Sequence, residues 1–125
     1  MKKRVLTADE FAMYAVLGSK IGSPAEREKY RAQLQGALVS SQTPSHTTFV
    51  VAHSPPLVDD RSFGQSLDAF YEDGAGIVNL ILHFADGRIS WAERFHVRTD
   101  PEIERPAVTS YVPKTGEIRL TLDAF

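Results

Sequence analysis

Up to residue 38 the apolar positions recur at helical spacing, and from Thr47 onward they recur at every second residue. Thr7 followed by Glu10 has the form of a capping box, and Phe11, Tyr14, Ala15 and Leu17 then fall near one side of a helix that Gly18 stops. A second helix starts at Ser23-Pro24, a hydroxyl cap followed by a proline whose missing N–H is harmless in the first turn, with Glu26 placed as a reciprocal cap. Tyr30, Leu34 and Leu38 at spacing four, with Ala37 beside them, give this helix one apolar stripe suited to lying on a sheet. The Ser/Thr/Gln/Pro stretch from Ser40 to Thr48 reads as a loop.

The alternating half begins with a β-branched strand, His46 to Ala52, which Ser54, Pro55 and Pro56 end. Three strands follow, Ser66 to Glu72, Ile77 to Ala85 and Arg88 to Val97, joined by Asp73-Gly74-Ala75-Gly76 and by Asp86-Gly87. Asp-Gly between two strand patterns is a strong hairpin signal, because both residues accept the positive φ of a type I′ turn. A last pair, Val108 to Val112 and Glu117 to Leu122, flanks Pro113 to Gly116.

A two-residue Asp86-Gly87 turn sets Ala85 opposite Arg88 and predicts two unlike faces. One collects Val78, Leu80, Leu82 and Phe84 with Ile89, Trp91, Glu93 and Phe95; the other collects Asn79, Ile81 and His83 with Ser90, Ala92, Arg94 and His96. Pairing Glu72 with Ile77 adds Leu67, Ala69 and Tyr71 to the first face and Ser66, Asp68, Phe70 and Glu72 to the second. The helices are expected on the first face, leaving the second to water. The predicted fold is one α+β domain over residues 1–125: two N-terminal helices packed on one face of a curved antiparallel sheet of five or six strands, a cystatin-like or nuclear-transport-factor-like cone.

Composition narrows the function. The chain has 125 residues, no cysteine and a formal charge of −2, which argues against a general nucleic-acid binder and removes disulfides, thiolate metal sites and cysteine nucleophiles. The charge is uneven, since residues 1–56 hold seven basic and four acidic side chains and the remainder is net acidic. No apolar run approaches the length of a membrane helix, and the residues after Lys2, Lys3 and Arg4 lack the apolar core of a secretion signal, so a cytoplasmic protein is expected. The histidines match no metal-ligand spacing, and neither a Gly-rich phosphate loop nor a Gly-x-Ser-x-Gly elbow is present, so no cofactor and no metal are expected.

Two groups of residues remain as candidate sites. Asp59, Asp60, Asp68, Glu72 and Asp73 crowd a segment with only Arg61 against them, and Phe70 stands between Asp68 and Glu72 on the open face, an apolar anchor with an acidic rim. Glu93 is the one position that breaks the pattern, a carboxylate among apolar residues, where it is costly unless it is paired. Either a tyrosine hydroxyl satisfies it, or it is a general acid or base in a pocket lined by Trp91 and Tyr71.

The segment Arg61 to Val97 resembles an uncharacterised bacterial family of small α+β proteins. The residues that carry the likeness are Arg61, Phe63 and Gly64 before a hairpin, Asp73 and Gly74, Val78 and Leu80, and Asp86 and Gly87 before a strand holding Glu93 and Phe95. Ala107 to Phe125 extends beyond that pattern. No established activity comes with the family, but chains of this type are similar in size and composition to immunity proteins of bacterial toxin systems. What the resemblance implies is a cytoplasmic binding protein, monomer or weak homodimer, that neutralises a cognate toxin, for example a nuclease of a contact-dependent growth inhibition system. It would make no direct contact with nucleic acid or membrane. An enzyme or small-molecule binder built on Glu93, and a subunit that dimerises through the open sheet face, are the competing expectations.

Overall fold

Both helix starts form as their end signals dictate. The computed structural model describes residues 2–72 and 76–99. After a short strand β1 (Arg4–Val5), Thr7 caps α1 (Ala8–Leu17): its hydroxyl accepts from the Glu10 N–H at 3.1 Å while Glu10 Oε1 accepts from the Thr7 N–H at 2.9 Å. A 3-10 turn (Gly18–Lys20) follows, and Ser23 caps α2 (Pro24–Gly36). The reciprocal cap does not form, because the Glu26 carboxylate instead accepts from Lys29 Nζ at 2.8 Å and from the Asp59 N–H at 2.7 Å.

The second helix is shorter than its apolar spacing predicts. It ends at Gly36, Ala37 turns extended, and Leu38 opens strand β2 (Leu38–Gln42), which runs into the stretch read as a loop. The β-branched strand is β3 (His46–Val50), and the hairpin strands are β4 (Ser66–Glu72), β5 (Gly76–Ala85) and β6 (Arg88–Thr99). All pairings are antiparallel, in the order β1-β2-β3-β6-β5-β4. The α+β architecture is therefore as expected, two helices against an open six-stranded sheet, although β1 and β2 were not anticipated. The predicted strands Val108 to Val112 and Glu117 to Leu122 lie outside the described residues.

Helices and sheet share one core. Met13, Tyr14 and Leu17 of α1 and Tyr30 and Leu34 of α2 pack with Val39, Phe49, Leu67, Ala69, Tyr71, Val78, Leu80, Leu82 and Ile89. Tyr14 meets Phe49 edge-on at 5.2 Å, and Tyr30 anchors the helices to each other by donating its hydroxyl to the Tyr14 carbonyl at 2.6 Å. The β4–β5 register is the predicted one, Glu72 facing Ile77 and Ser66 facing His83.

The β5–β6 register starts as predicted and then slips. Ala85 faces Arg88 and Phe84 faces Ile89, but His83 faces Trp91, so Ser90 is an extra residue, a β-bulge. One inserted residue exchanges the faces of everything beyond it. Trp91, Glu93 and Phe95 therefore point away from the helices, and Arg94, opposite Leu80, points into the core at 2% exposure. This overturns the expectation that Trp91 and Phe95 are core residues and Arg94 accessible; Phe95 is 41% exposed. Asn79, also expected to be accessible, is 7% exposed and donates to the Ala69 carbonyl at 3.1 Å.

At the β1–α1 corner Arg4 grips Glu10 through two bonds of 2.6 and 3.0 Å and also donates to Gln42 Oε1 at 2.7 Å. Burial by itself would raise the Glu10 carboxyl, but the Arg4 guanidinium and the Thr7 N–H outweigh it and hold the group below the usual carboxylate range. A carboxyl lowered on folding contributes stability above its unfolded-state range, and that contribution is lost as the pH falls through the folded-state value. Glu10→Gln is expected to cost about 1–2 kcal/mol at neutral pH, the range for a helix cap plus bonds to a charged partner. In urea unfolding the gap to wild type should close as the solution is acidified; a gap unchanged into the acid range would contradict this role.

Candidate functional site

The bulge builds a group of side chains on the face turned away from the helices. Three neighbouring strands, in the order β3-β6-β5, present His46, Trp91 and His83. Their rings stack nearly parallel, Trp91 on His83 at 4.2 Å and 13° and Trp91 on His46 at 5.5 Å and 6°. Since β6 lies between the other two strands, the imidazoles cover opposite faces of the indole. Glu93 is the register partner of His46 and places Oε1 3.3 Å from His83 Nε2. Ser45 Oγ lies 2.9 Å from His46 Nδ1 and fixes that ring from its other side.

The turn that carries His46 is held from beneath. Arg94 donates Nε to the Pro44 carbonyl at 3.2 Å, Nη2 to the Thr43 carbonyl at 3.1 Å and Nη1 to Thr47 Oγ1 at 3.0 Å, while its backbone N–H bonds the Ser45 carbonyl at 2.8 Å. Among the described residues no carboxylate pairs with this buried cation. Tyr14 stands beside it; burial pushes the Tyr14 phenol up to about 12 against the pull of Arg94 and Thr47.

Acid and apolar groups surround the stack. The Glu93 row continues across Ile81 to Asp68, whose carboxylate accepts from Lys20 at 3.2 Å and from Asn79 at 3.3 Å. Phe95 follows Glu93 along β6, and Val50, 39% exposed, lies two residues from Thr48, the register partner of Trp91.

The predicted acidic cluster is not one site. Asp60 is buried at 6% and its Oδ2 accepts from the Gly87 N–H at 2.9 Å, so it is a turn residue of the fold. Asp59 is exposed near it. Glu72 faces Ile77 at the far end of β5, eight residues from Ala85, which is roughly 25 Å along a strand. Phe70, read as the exposed anchor, is 6% exposed, and Asp73 lies outside the described residues.

The pocket reading fails on geometry as well. Tyr71, opposite Val78, is 2% exposed on the core face, whereas Glu93 and Trp91 are on the other face. Clefts of about 200 Å³ between α1 and α2 and of about 320 Å³ beside the Asp86-Gly87 turn are lined by neither Trp91 nor Glu93. The row of Ser66, His83 and Ser90 is broken by the bulge, which sets Trp91 against His83. Among the described residues no cluster of His, Asp and Glu suits a metal ion, and no helix is long and apolar enough to cross a membrane.

Sequence reasoning placed His83 and Asp68 on the correct face but missed His46 as a member of the site. The available signal was Glu93: a carboxylate read into a core marks a register that has slipped. Compared with family models, with curated proteins and with solved structures, the chain matches none.

Proposed function

We propose that the protein is a binding protein of the immunity type, which neutralises a bacterial toxin by docking the sheet face around Trp91 against it. The observation that carries this reading is the Trp91 ring, held rigid between two imidazoles on a solvent-facing sheet surface, with Phe95 and Val50 exposed nearby. Large rings whose orientation is already fixed lose little entropy on binding, which is why tryptophan dominates interface hot spots. The occupant that fits is a protein with a basic surface, such as the cleft of a nuclease. Glu93, Asp68 and Glu72 border the aromatic patch, against Lys20 and Arg88, and an acidic rim of this kind steers a basic partner into register. The burial of Phe70 moves the anchor role to Trp91 and Phe95.

Trp91→Ser combined with Phe95→Ser tests the reading. Both rings lie outside the helix-packed core, so the variant should keep its circular dichroism spectrum. Wild-type protein should recover a basic toxin from its own cells, and the double variant should bind that toxin at least ~100-fold more weakly, as expected for loss of two anchors. Cells producing the toxin should survive with the wild-type protein and not with the variant. Full protection by the folded variant would remove this face from the function.

A further inference from the structure

Two of the three rings in the stack can change charge. Histidine is the side chain that ordinarily gains or loses its charge between pH 5 and 8. A neutral imidazole meets an indole through dispersion, whereas an imidazolium adds cation–π attraction. His83 also sits 3.3 Å from Glu93, so a proton there turns a neutral contact into a charge-assisted one. The stack is therefore favourable in both states, and the face can change its charge without coming apart.

We propose that this face is proton-gated: it holds a cationic surface while His46 and His83 are neutral and releases it once both are charged. The proposal rests on the reading that the face docks a basic partner, and it supplies the regulation of that docking. Around Glu93 the local charge passes from negative to positive when both imidazoles take up protons, because His46 is its register partner on one side and His83 its hydrogen-bond partner on the other. The other charged groups in described positions facing this surface are Asp68, bonded by Lys20 and Asn79, and Arg88 at the turn end of β6. Beneath it, Arg94 faces the core and contacts the turn that carries His46. None of these four is a histidine, so the two stacked imidazoles are the groups suited to reverse the sign near neutral pH.

Hexa-arginine serves as the cationic probe, and Trp91, the single tryptophan of the chain, reports its binding by fluorescence. Between pH 7.5 and 5.5 the wild-type affinity should fall at least ~10-fold, the scale of two charges reversing at a wet surface. In the His46→Gln, His83→Gln double variant the fall should stay under about 3-fold. His53 and His96 remain in that variant and control for the general change in protein charge. Without probe, acidification should quench Trp91 emission in wild type and leave it level in the variant. Equal pH dependence in both proteins, or no probe binding at pH 7.5, overturns the gate. The docking reading is judged separately: if Trp91→Ser with Phe95→Ser loses the toxin at pH 7.5 while wild-type toxin binding ignores pH, only the gate is wrong. Toxin binding retained by that variant overturns the face and the gate together.

Discussion

Gly87→Ala should lower stability by about 3 kcal/mol, or roughly 10 °C in thermal midpoint, through backbone strain plus an overpacked contact. Gly87 has φ of +79°, where an L side chain is strained, and an added Cβ would lie 2.7 Å from the Val58 carbonyl oxygen and 3.1 Å from Leu57 Cβ. The turn cannot move aside, because three elements hold it. Its N–H donates to Asp60 Oδ2, and its carbonyl accepts from the Val58 N–H at 2.9 Å and from Gln33 Nε2 at 2.8 Å. Gln33, fully buried on α2, also accepts from the Ile89 N–H at 3.0 Å. Gly64 provides the control: its φ is +72° but nothing lies within 4 Å, so alanine there should cost only the strain, about 1 kcal/mol. Equal costs at the two glycines would show that the close approach to Val58 is not a constraint.

Arg94→Ala should cost about 3–5 kcal/mol, since it leaves two carbonyls and a hydroxyl without a donor and opens a cavity beneath Tyr14. Lysine at this position keeps the charge, but an ammonium on a single stem cannot match the planar fork that reaches Thr43, Pro44 and Thr47, and it should recover less than half of the loss. Arg88 is the matched comparison on the same strand. Its Nε is buried with no hydrogen-bond partner, so Arg88→Met gives up no bond at that atom and should change stability by no more than about 0.5 kcal/mol. Urea unfolding of the three variants decides between these placements, and a mild Arg94→Ala would contradict a core position. Because Arg94 also fixes the turn beneath His46, its alanine variant should disorder the stack and change Trp91 emission even where the fold survives.

Much of this fold was legible in residue patterns that are local. The Thr7 and Ser23 caps, the Asp86-Gly87 turn and the alternation of Leu67, Ala69 and Tyr71 each follow from a few adjacent residues, and each stands as read. The misreadings arose where a local pattern served two structures equally well. Leu38 continues the spacing of Tyr30 and Leu34, yet it pairs with Val5 and Val50 as a strand residue once Gly36 ends the helix. In Trp91-Ala92-Glu93-Arg94-Phe95-His96 each alternating set contains a charged side chain, so hydrophobicity cannot choose the register. The choice falls to reach: an arginine can extend from the core side to the carbonyls of the 43–45 turn, which a shorter glutamate cannot do. The site inherited this ambiguity, because its members depend on the bulge at Ser90.

The central claim is that Trp91 lies at the contact surface with a protein partner. Acrylamide quenching of Trp91, the chain's only tryptophan, measures this directly in the free protein and in the purified complex with its toxin. The ring is half-buried in the free chain, and its quenching constant should drop several-fold on complex formation as the partner excludes solvent from the sheet face. An unchanged quenching constant in a saturated complex would place the interface elsewhere and contradict the account.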